Sequence, residues 1–255
     1  MVQSVYSEPF DPAEEQKGWS SAPESEVSTV EHVGISGVVL AFSQYDLVAL
    51  AERAEVVIEL VPQVGDFVAH GDPLFRVRNG SVDSGVLRAS IAIGPERTME
   101  QDPRFAFRIM VDIANKALSP AINDPTTAVL ALDQIHHLLM LVGQRRLDAR
   151  EACDAQRRVR LYFGTPNWID YVSLAVTEIR HFGASSMQVA RRLQAMIEHL
   201  LQVLPEARKA ALQQELKLLQ HAIQRSFPDK EDRAQAHVGD FQEIGSSMVS
   251  QPPAD

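Results

Sequence analysis

Two short segments of the chain combine charged and polar residue types that could bind a ligand. "ERTMEQDP" begins at Glu96 and "INDPTT" begins at Ile122, and each contains an Asp-Pro pair. That pair is typical of a helix start, because aspartate accepts bonds from free backbone N–H groups and proline loses no donor there. The helix start in the second segment could hold an anion or a polar ligand, but Asp124 argues against a bare anion and is better suited to a cation or to a partner's donors. The predicted ligand-binding residues are Arg97, Glu100, Asp102, Asn123, Asp124, Thr126 and Thr127.

The same residues also have a purely structural interpretation. Pro120 cannot continue a helix, and Asn123 is of the type that bonds its own backbone in tight turns. The loop around them therefore predicts a corner between two helices, with the aspartates as N-caps. In this interpretation Arg97 forms a buried ion pair with Asp102 or Asp124.

Motifs for catalysis and metal binding are weak in this sequence. His136 and His137 are adjacent, so on a helix their side chains diverge by about 100° and do not share a metal ion. "GASSM" at Gly183 lacks the second glycine of a nucleophile elbow, and the sequence contains no glycine-rich phosphate loop. We therefore predict no metal and no cofactor. The sequence leaves enzymatic activity open and favours a non-catalytic role.

Composition restricts the partners and the location of the chain. Its formal charge of −10 repels a phosphate backbone, so nucleic acid is not expected as a partner. No apolar run approaches the roughly 18 residues that a membrane helix needs, and the first residues lack the apolar core of a signal peptide. The lone cysteine, Cys153, fits a reducing compartment. These features predict a soluble chain.

The spacing of apolar residues divides the chain into four regions. Residues 1–29 are rich in Pro, Glu and Ser and predict a disordered linker. Residues 30–94 contain short β-branched runs between glycine and proline turns, with one helical stretch. In residues 95–228 the period changes to about 3.6, which predicts long amphipathic helices, with "VRLYF" as one added strand. Residues 229–255 predict a disordered tail. The expected class is α+β, with a small β-rich, barrel-sandwich-like subdomain packed against a mainly α-helical layer.

One stretch of the β-rich region is similar to a cofactor-carrying fold. "VPQVGDFVAHGDPLFRV" resembles half of a biotinyl or lipoyl barrel-sandwich in the spacing of its Gly-Asp turns. It contains no lysine, so a swinging-arm cofactor has no point of attachment. We therefore expect a structural β-hairpin here.

A longer block indicates a family. "ERTMEQDPRFAFRIMVDIANKALSPAINDPTTAVLALDQI", with the upstream "DLVALAERAEVVIELVPQVGDFVAHGDPLFRV", resembles the bacterial predicted membrane proteins of the domain-of-unknown-function 2254 family. The similarity extends from "YSEPF" at Tyr6 to "EIRHFGASS", which ends at Ser186. Members of that family carry membrane helices followed by a soluble domain, so the resemblance implies the soluble C-terminal domain after a missing membrane region. It further implies a location in the cytoplasm or at the cytoplasmic face of the inner membrane, with membrane-embedded helices of the same architecture as a partner. It implies no catalytic residues.

Two functions from different classes agree with these features. The first is a non-catalytic sensory or interaction domain of a membrane-protein family. The second is a small-ligand-binding or hydrolytic domain that uses the carboxylates near Asp102 and those near Asn123 and Asp124. A sealed, capped corner between the helices would favour the first function, and polar side chains around an open cavity would favour the second.

Self-association is also expected from the sequence. The segment "VARRLQAMIEHLLQVL" carries an apolar stripe wide enough to face two neighbouring helices, and a second copy of the chain could supply one of them. The stripe consists of Leu193, Met196, Ile197, Leu200, Leu201 and Leu204.

Overall fold

The computed structural model describes residues 2–12, 27–147 and 150–240. Within these residues the helices and strands confirm the α+β class. The chain divides into two compact units: the first comprises Met1–Ala106 and Arg145–Asn167, and the second comprises Phe107–Gln144 and Trp168–Asp255. Most of the predicted linker and tail, residues 13–26 and 241–255, lies outside the described residues.

The first unit contains two sheets. Its strands are β1 (Val27–Glu31), β2 (Gly37–Phe42), β3 (Val57–Leu60), β4 (Phe67–Val68), β5 (Pro73–Arg78), β6 (Ile91–Gly94), β7 (Glu151–Cys153) and β8 (Val159–Phe163). Its helices are α1 (Val2–Val5), α2 (Gln44–Arg53), α3 (Ser84–Ala89) and the first residues of α4 (Pro103–Ala117). In the described residues a five-stranded sheet has the order β1-β5-β3-β8-β7 and a three-stranded sheet has the order β4-β2-β6, so the strands do not close into a barrel.

The core of the first unit follows from the alternation of its strands. In β3 the side chains of Ile58 and Leu60 are buried while the intervening Glu59 is partly exposed, which is the period of two expected for a half-buried strand. Ile58 packs in one apolar cluster with Phe75 of β5 and Leu47 of α2. This burial fixes which face of the five-stranded sheet carries polar groups.

The prediction of a β-hairpin in "VPQVGDFVAHGDPLFRV" is wrong, because its two strands do not pair with each other. β4 pairs with β2, whereas β5 pairs with β1 and β3 in the other sheet. The chain turns between the two sheets at Gly71, which has a φ of +90°, and the backbone N–H of Ala69 donates to the carboxylate of Asp72 at 2.7 Å. A turn that glycine and aspartate specify locally can therefore join two sheets as well as two paired strands.

The strand expected in "VRLYF" is confirmed as β8, but it belongs to the first unit and not to the helical region. Ile58 of β3 pairs with Leu161 of β8 in parallel register. The predicted boundary between residues 94 and 95 also differs from the structure, in which the first unit reaches Ala106 and includes Arg145–Asn167. Strand pairing between distant parts of the chain is tertiary information, so the local pattern could not assign β8 to its sheet.

The second unit consists of helices that pack on one another. They are the remainder of α4, α5 (Pro125–Gly143), α6 (Trp168–Gly183), α7 (Met187–Val203), α8 (Glu206–Ser226) and α9 (Lys230–Ala236). α7 contacts α5, α6, α8 and α9. The stripe on which self-association was expected is covered by these neighbours, because Leu193, Met196, Ile197 and Leu200 have no exposed area. Self-association stays a prediction, but the width of this stripe no longer supports it.

The predicted linker and tail contain ordered segments. β1 begins at Val27, inside the predicted linker, and α9 lies inside the predicted tail. The Arg191 guanidinium donates to the carbonyl of Val238 at 3.0 Å, and the Gln194 side-chain amide donates to the carbonyl of His237 at 2.6 Å. The prediction of disorder is therefore wrong for Lys230–Ala236, because side chains of α7 hold the polar segment that follows α9.

An ion pair between α6 and α8 lies inside the second unit. Nε of Arg180 donates to one carboxylate oxygen of Glu215 at 3.0 Å, and the hydroxyl of Thr177 donates to the other at 3.0 Å. The side chains of Arg180 and Glu215 are only 7% and 10% exposed. Each charge therefore depends on the other for the polar contacts that water would otherwise provide.

Candidate functional site

An open cavity of about 620 Å³, which we call the cleft, lies within the first unit. Its walls come from the end of α1 and the residue after it, the β2–α2 junction, the loop between β3 and β4, the approach to α4, and the end of β8 with the segment that follows it. The apolar and aromatic lining residues are Val5, Tyr6, Phe42, Tyr45, Val64, Pro103, Phe163, Gly164 and Pro166. The polar lining residues are Ser43, Gln44, Glu100, Gln101, Asp102 and Thr165.

The β2–α2 junction and the end of β8 place aromatic rings on the cleft. The hydroxyl oxygen of Ser43 accepts the N–H of Asp46 and caps α2, so the chain changes from strand to helix within one residue. This change brings both Phe42 and Tyr45 to the cleft. The rings of Phe42 and Phe163 are in contact, with centroids 5.3 Å apart. The two aromatic side chains therefore join the junction to β8.

Two polar contacts hold the remaining walls of the cleft. The hydroxyl of Thr165 donates to the carbonyl of Leu147 at 2.7 Å, which fixes the segment after β8. The guanidinium of Arg146, the residue before Leu147, donates to the carboxylate of Glu8 at 2.9 Å. This pair ties down the N-terminal segment, whose Tyr6 lines the cleft and is buried.

Asp102 both caps α4 and pairs with Arg97. Its side chain is 4% exposed. One carboxylate oxygen accepts the N–H of Phe105 at 3.2 Å, and the other accepts Nε of Arg97 at 2.9 Å. The predicted cap is therefore confirmed, and so is the predicted ion pair, with Asp102 as the partner of Arg97. Gly65, which has a φ of +92°, packs on this pair so closely that a Cβ there would lie 2.5 Å from the Asp102 carboxylate.

Glu100 and Gln101 reach the cleft just before the cap. The side-chain oxygen of Gln101 accepts the N–H of Phe42 at 3.3 Å, which attaches the approach to α4 to the end of β2. Glu100 is exposed and lines the cleft, and its carboxylate has no hydrogen-bond or ion-pair partner in the described part of the chain. Glu100 is therefore a charged group of the cleft that is available to a ligand.

The second predicted segment forms a capped corner in the second unit. The N–H of Asn123 donates to the carbonyl of Ser119 at 2.9 Å, and Asn123 has a φ of +49°, a left-handed conformation that asparagine tolerates better than most residues. The carboxylate of Asp124 accepts the hydroxyl of Thr127 and its N–H, the latter at 3.1 Å. These bonds, the hydroxyl first, lower the pKa of Asp124 below its ordinary value. Thr126 is exposed.

The structure thus divides the predicted ligand-binding residues between the two units. Arg97, Glu100 and Asp102 lie in the first unit, while Asn123, Asp124, Thr126 and Thr127 lie in the second. The corner in the second unit is sealed by its own bonds, whereas Glu100 and Asp102 border an open cavity. Ligand binding by either group stays a prediction, and only the first group has a cavity beside it.

Sequence reasoning missed the aromatic residues of the cleft, which are Tyr6, Phe42, Tyr45 and Phe163. Each stands next to an element boundary, but aromatic residues at such positions are common in any core. Only the pairing of β8 with β3 and the attachment of the N-terminal segment bring these rings to one place. In the sequence, only the polar segment around Glu100 could therefore have indicated the cleft.

A cluster of histidines lies between α5 and α7 in the second unit. The Arg192 guanidinium donates to Asp133 at 2.6 Å and to Nδ1 of His136 at 3.0 Å. Because arginine can only donate, Nε2 of His136 carries the ring proton and donates to Nδ1 of His199, 2.9 Å away. Burial, and then the charge of Arg192, lower the pKa of His136 to about 4. The neighbouring His137 is exposed, as expected for adjacent residues on a helix.

We expect acid to weaken the second unit through His136. Its pKa is about 4 in the folded chain against 6.5 for an ordinary histidine. The unfolded chain therefore binds more protons between these values, so the free energy of unfolding falls as the pH falls from 6.5 to 4. Since the ring is partly exposed, we expect this loss to be about 1–2 kcal/mol.

Urea unfolding at pH 7 and pH 4.5 measures this loss. The variant His136→Gln should show a smaller loss between the two pH values than the unchanged chain. The variant His137→Gln is the matched control, since it removes the exposed neighbour and should leave the loss intact. Equal losses in the unchanged chain and in His136→Gln would show that the pH dependence has another source.

The sequence profile of the predicted membrane proteins named DUF2254 matches residues 4–199. The chain therefore belongs to this family. An uncharacterized protein of Mycobacterium bovis and an uncharacterized protein of Mycobacterium tuberculosis strain H37Rv are each 31% identical to it over 209 residues. The matched region covers 78% of this chain but 40% of each relative, so the chain spans less than half of the curated relatives' length. No solved structure matches the chain.

One helix among the described residues, α5, is long and apolar enough to cross a membrane. The expectation that no apolar segment approaches the length of a membrane helix is therefore wrong for α5. Within the structure 44% of its most apolar window is buried, and its Asp133 and His136 bond to Arg192 of α7. A buried core helix meets the same criteria of length and composition, so α5 is weak evidence for a membrane span.

Proposed function

We propose that this chain is a soluble domain of its membrane-protein family that senses a small molecule, which it binds in the cleft without catalysing a reaction. The observation that carries the proposal is an open cavity of about 620 Å³ lined by aromatic rings, amide groups and an unpaired carboxylate. Cavities that hold small molecules in proteins have volumes of about 300–1,000 Å³, with mostly apolar walls and a few polar groups. The cleft has both properties.

The state of the polar groups favours binding over hydrolysis. The oxygen of Ser43 accepts a helix N–H, and the hydroxyl of Thr165 donates to a carbonyl. Asp102 is engaged by Arg97 and by its own helix. A nucleophile needs an adjacent base that activates it, and these three groups already serve the fold. Glu100 and the side chain of Tyr45 remain to hold a ligand.

The N-terminal segment offers a way to transmit ligand binding. Tyr6 lines the cleft, and the Glu8–Arg146 pair holds the segment beside it. A ligand in the cleft would therefore change the position or the order of this segment. In a longer member of the family, the segment could act on membrane-embedded helices from the cytoplasmic side. The cytoplasmic location and these helices as partners are parts of this proposal.

A fragment screen by ligand-observed NMR on the 255-residue chain tests the proposal. Gln44 lines the cleft at the exposed start of α2, so Gln44→Trp adds an indole to the cleft without removing a buried contact. Gln44→Ala is the matched control that leaves the cleft open. We expect fragments that bind both the unchanged chain and Gln44→Ala to lose their signals with Gln44→Trp. A library without any binder, or binders indifferent to the indole, would contradict the proposal.

A further inference from the structure

We infer that the ligand of the cleft is an organic cation, an amine or quaternary ammonium ion attached to an apolar body. This inference rests on the proposed function, since it assigns a chemical class to the ligand of the same cleft. It is carried by the charges and the aromatic rings that line this cleft.

The charge balance at the cleft is negative. Among the described lining residues, Glu100 and Asp102 carry carboxylates, and none is lysine, arginine or histidine. Arg97 neutralises Asp102, which leaves Glu100 uncompensated. A bare anion would therefore be repelled, whereas a cation can lie against Glu100 at little cost in desolvation, because that carboxylate is exposed.

The positive ends of two helices at the cleft reduce its negative charge but do not reverse it. α2 and α4 both begin beside the cavity, and each start is equivalent to about half a positive charge. Asp102 already caps α4 with a full negative charge. Ser43 caps α2, which also carries Asp46 in its first turn. The positive ends are thus compensated by groups of the chain, and the remaining charge is that of Glu100.

Aromatic rings that line the same cleft as Glu100 complete a site for a cation with an apolar part. Phe42 and Phe163 form a contacting pair in the wall, and Tyr45 lies at the rim with 83% of its surface exposed. The face of an aromatic ring attracts ammonium groups through its quadrupole. An ammonium group held by Glu100 would be stabilised by the rings of this lining, and the apolar body of the ligand would pack on the same rings.

Three probes that share one ring and differ in charge test the inference. Benzylammonium, benzyl alcohol and benzoate are titrated into the 255-residue chain, and the backbone amide signals of Gln44, Tyr45 and Gln101 are followed by NMR. We expect benzylammonium to bind about five- to tenfold more tightly than benzyl alcohol, and benzoate to bind more weakly than either. Raising the salt concentration from about 0.05 M to about 0.5 M should weaken only the binding of benzylammonium.

The variant Glu100→Gln should remove the preference for benzylammonium and leave the binding of benzyl alcohol unchanged. Glu100 is exposed and unpartnered, so this substitution does not threaten the fold. Glu96→Gln is the matched control, because Glu96 is also exposed and precedes α4 but does not line the cleft. It changes the net charge equally and should keep the preference.

Several results would overturn the inference. Benzyl alcohol or benzoate binding the unchanged chain as tightly as benzylammonium would reject a cation as the ligand, and so would equal preferences in Glu100→Gln and Glu96→Gln. The proposed function would survive either result, because at least one of the three probes would still bind in the cleft. The proposed function fails instead when the fragment library contains no binder that Gln44→Trp displaces and none of the three probes moves the amide signals of the cleft.

Discussion

Replacing Glu215 with alanine is expected to lower the free energy of unfolding by about 3–5 kcal/mol, because the substitution leaves the buried guanidinium of Arg180 without its counter-ion. Arg180 is 7% exposed on its side chain, so water cannot replace the lost carboxylate. The hydroxyl of Thr177 loses its acceptor as well. Since domains are stable by about 5–15 kcal/mol in total, this loss is a large part of the stability of the chain.

Urea unfolding followed by circular dichroism at pH 7 measures the effect. Glu206→Ala is the matched control, because Glu206 lies on the same helix in an exposed pair with Lys209, and its loss should stay within about 0.5 kcal/mol. The double variant Arg180→Met with Glu215→Leu should recover most of the stability, since two apolar side chains leave no unpaired charge. A loss in Glu215→Ala as small as that in Glu206→Ala would mean that the pair is not buried in solution.

Replacing Asp102 with alanine is expected to cost about 2–4 kcal/mol, which combines the loss of a helix cap with the loss of the Arg97 partner. The cap contributes through the N–H of Phe105, and the ion pair contributes through Nε of Arg97. Arg97 is 28% exposed on its side chain, so its unpaired charge is partly solvated and costs less than that of Arg180. We place the total below that expected for Glu215 for this reason.

Asp102→Asn separates the two contributions, because asparagine caps a helix about as well as aspartate but carries no charge. We expect it to lose less stability than Asp102→Ala, and the difference between the two variants gives the worth of the cap. A cycle with Arg97→Met then measures the coupling between the two charges. If Asp102→Asn and Asp102→Ala lower the free energy of unfolding equally, the cap does not stabilise the chain. A coupling energy of zero would show that the ion pair does not stabilise it either.

The caps of α4 and α5 were predictable because the information for them is local. Asp102 and Asp124 each precede a proline, and the bonds that make a cap join residues three positions apart. The pairing of Arg97 with Asp102 was predicted as one of two choices for the same reason, since five positions separate the two residues. The amphipathic helices and the short strands likewise follow from the period of the apolar residues. Family membership was also readable, because it rests on a contiguous block of sequence.

The cleft was decided by tertiary structure. The residues of β8 by themselves predict a strand, but they do not predict its partner. The parallel pairing of β8 with β3 is what allows Phe163 to contact Phe42. Likewise, His136 and His199 lie on different helices, and their contact depends on the packing of α5 against α7. The sequence by itself determined the caps, the helical and strand periods and the family, because each depends on neighbours along the chain. Only the tertiary structure decided which side chains share a cavity or a buried cluster, because those contacts join segments whose local patterns agree with many different arrangements.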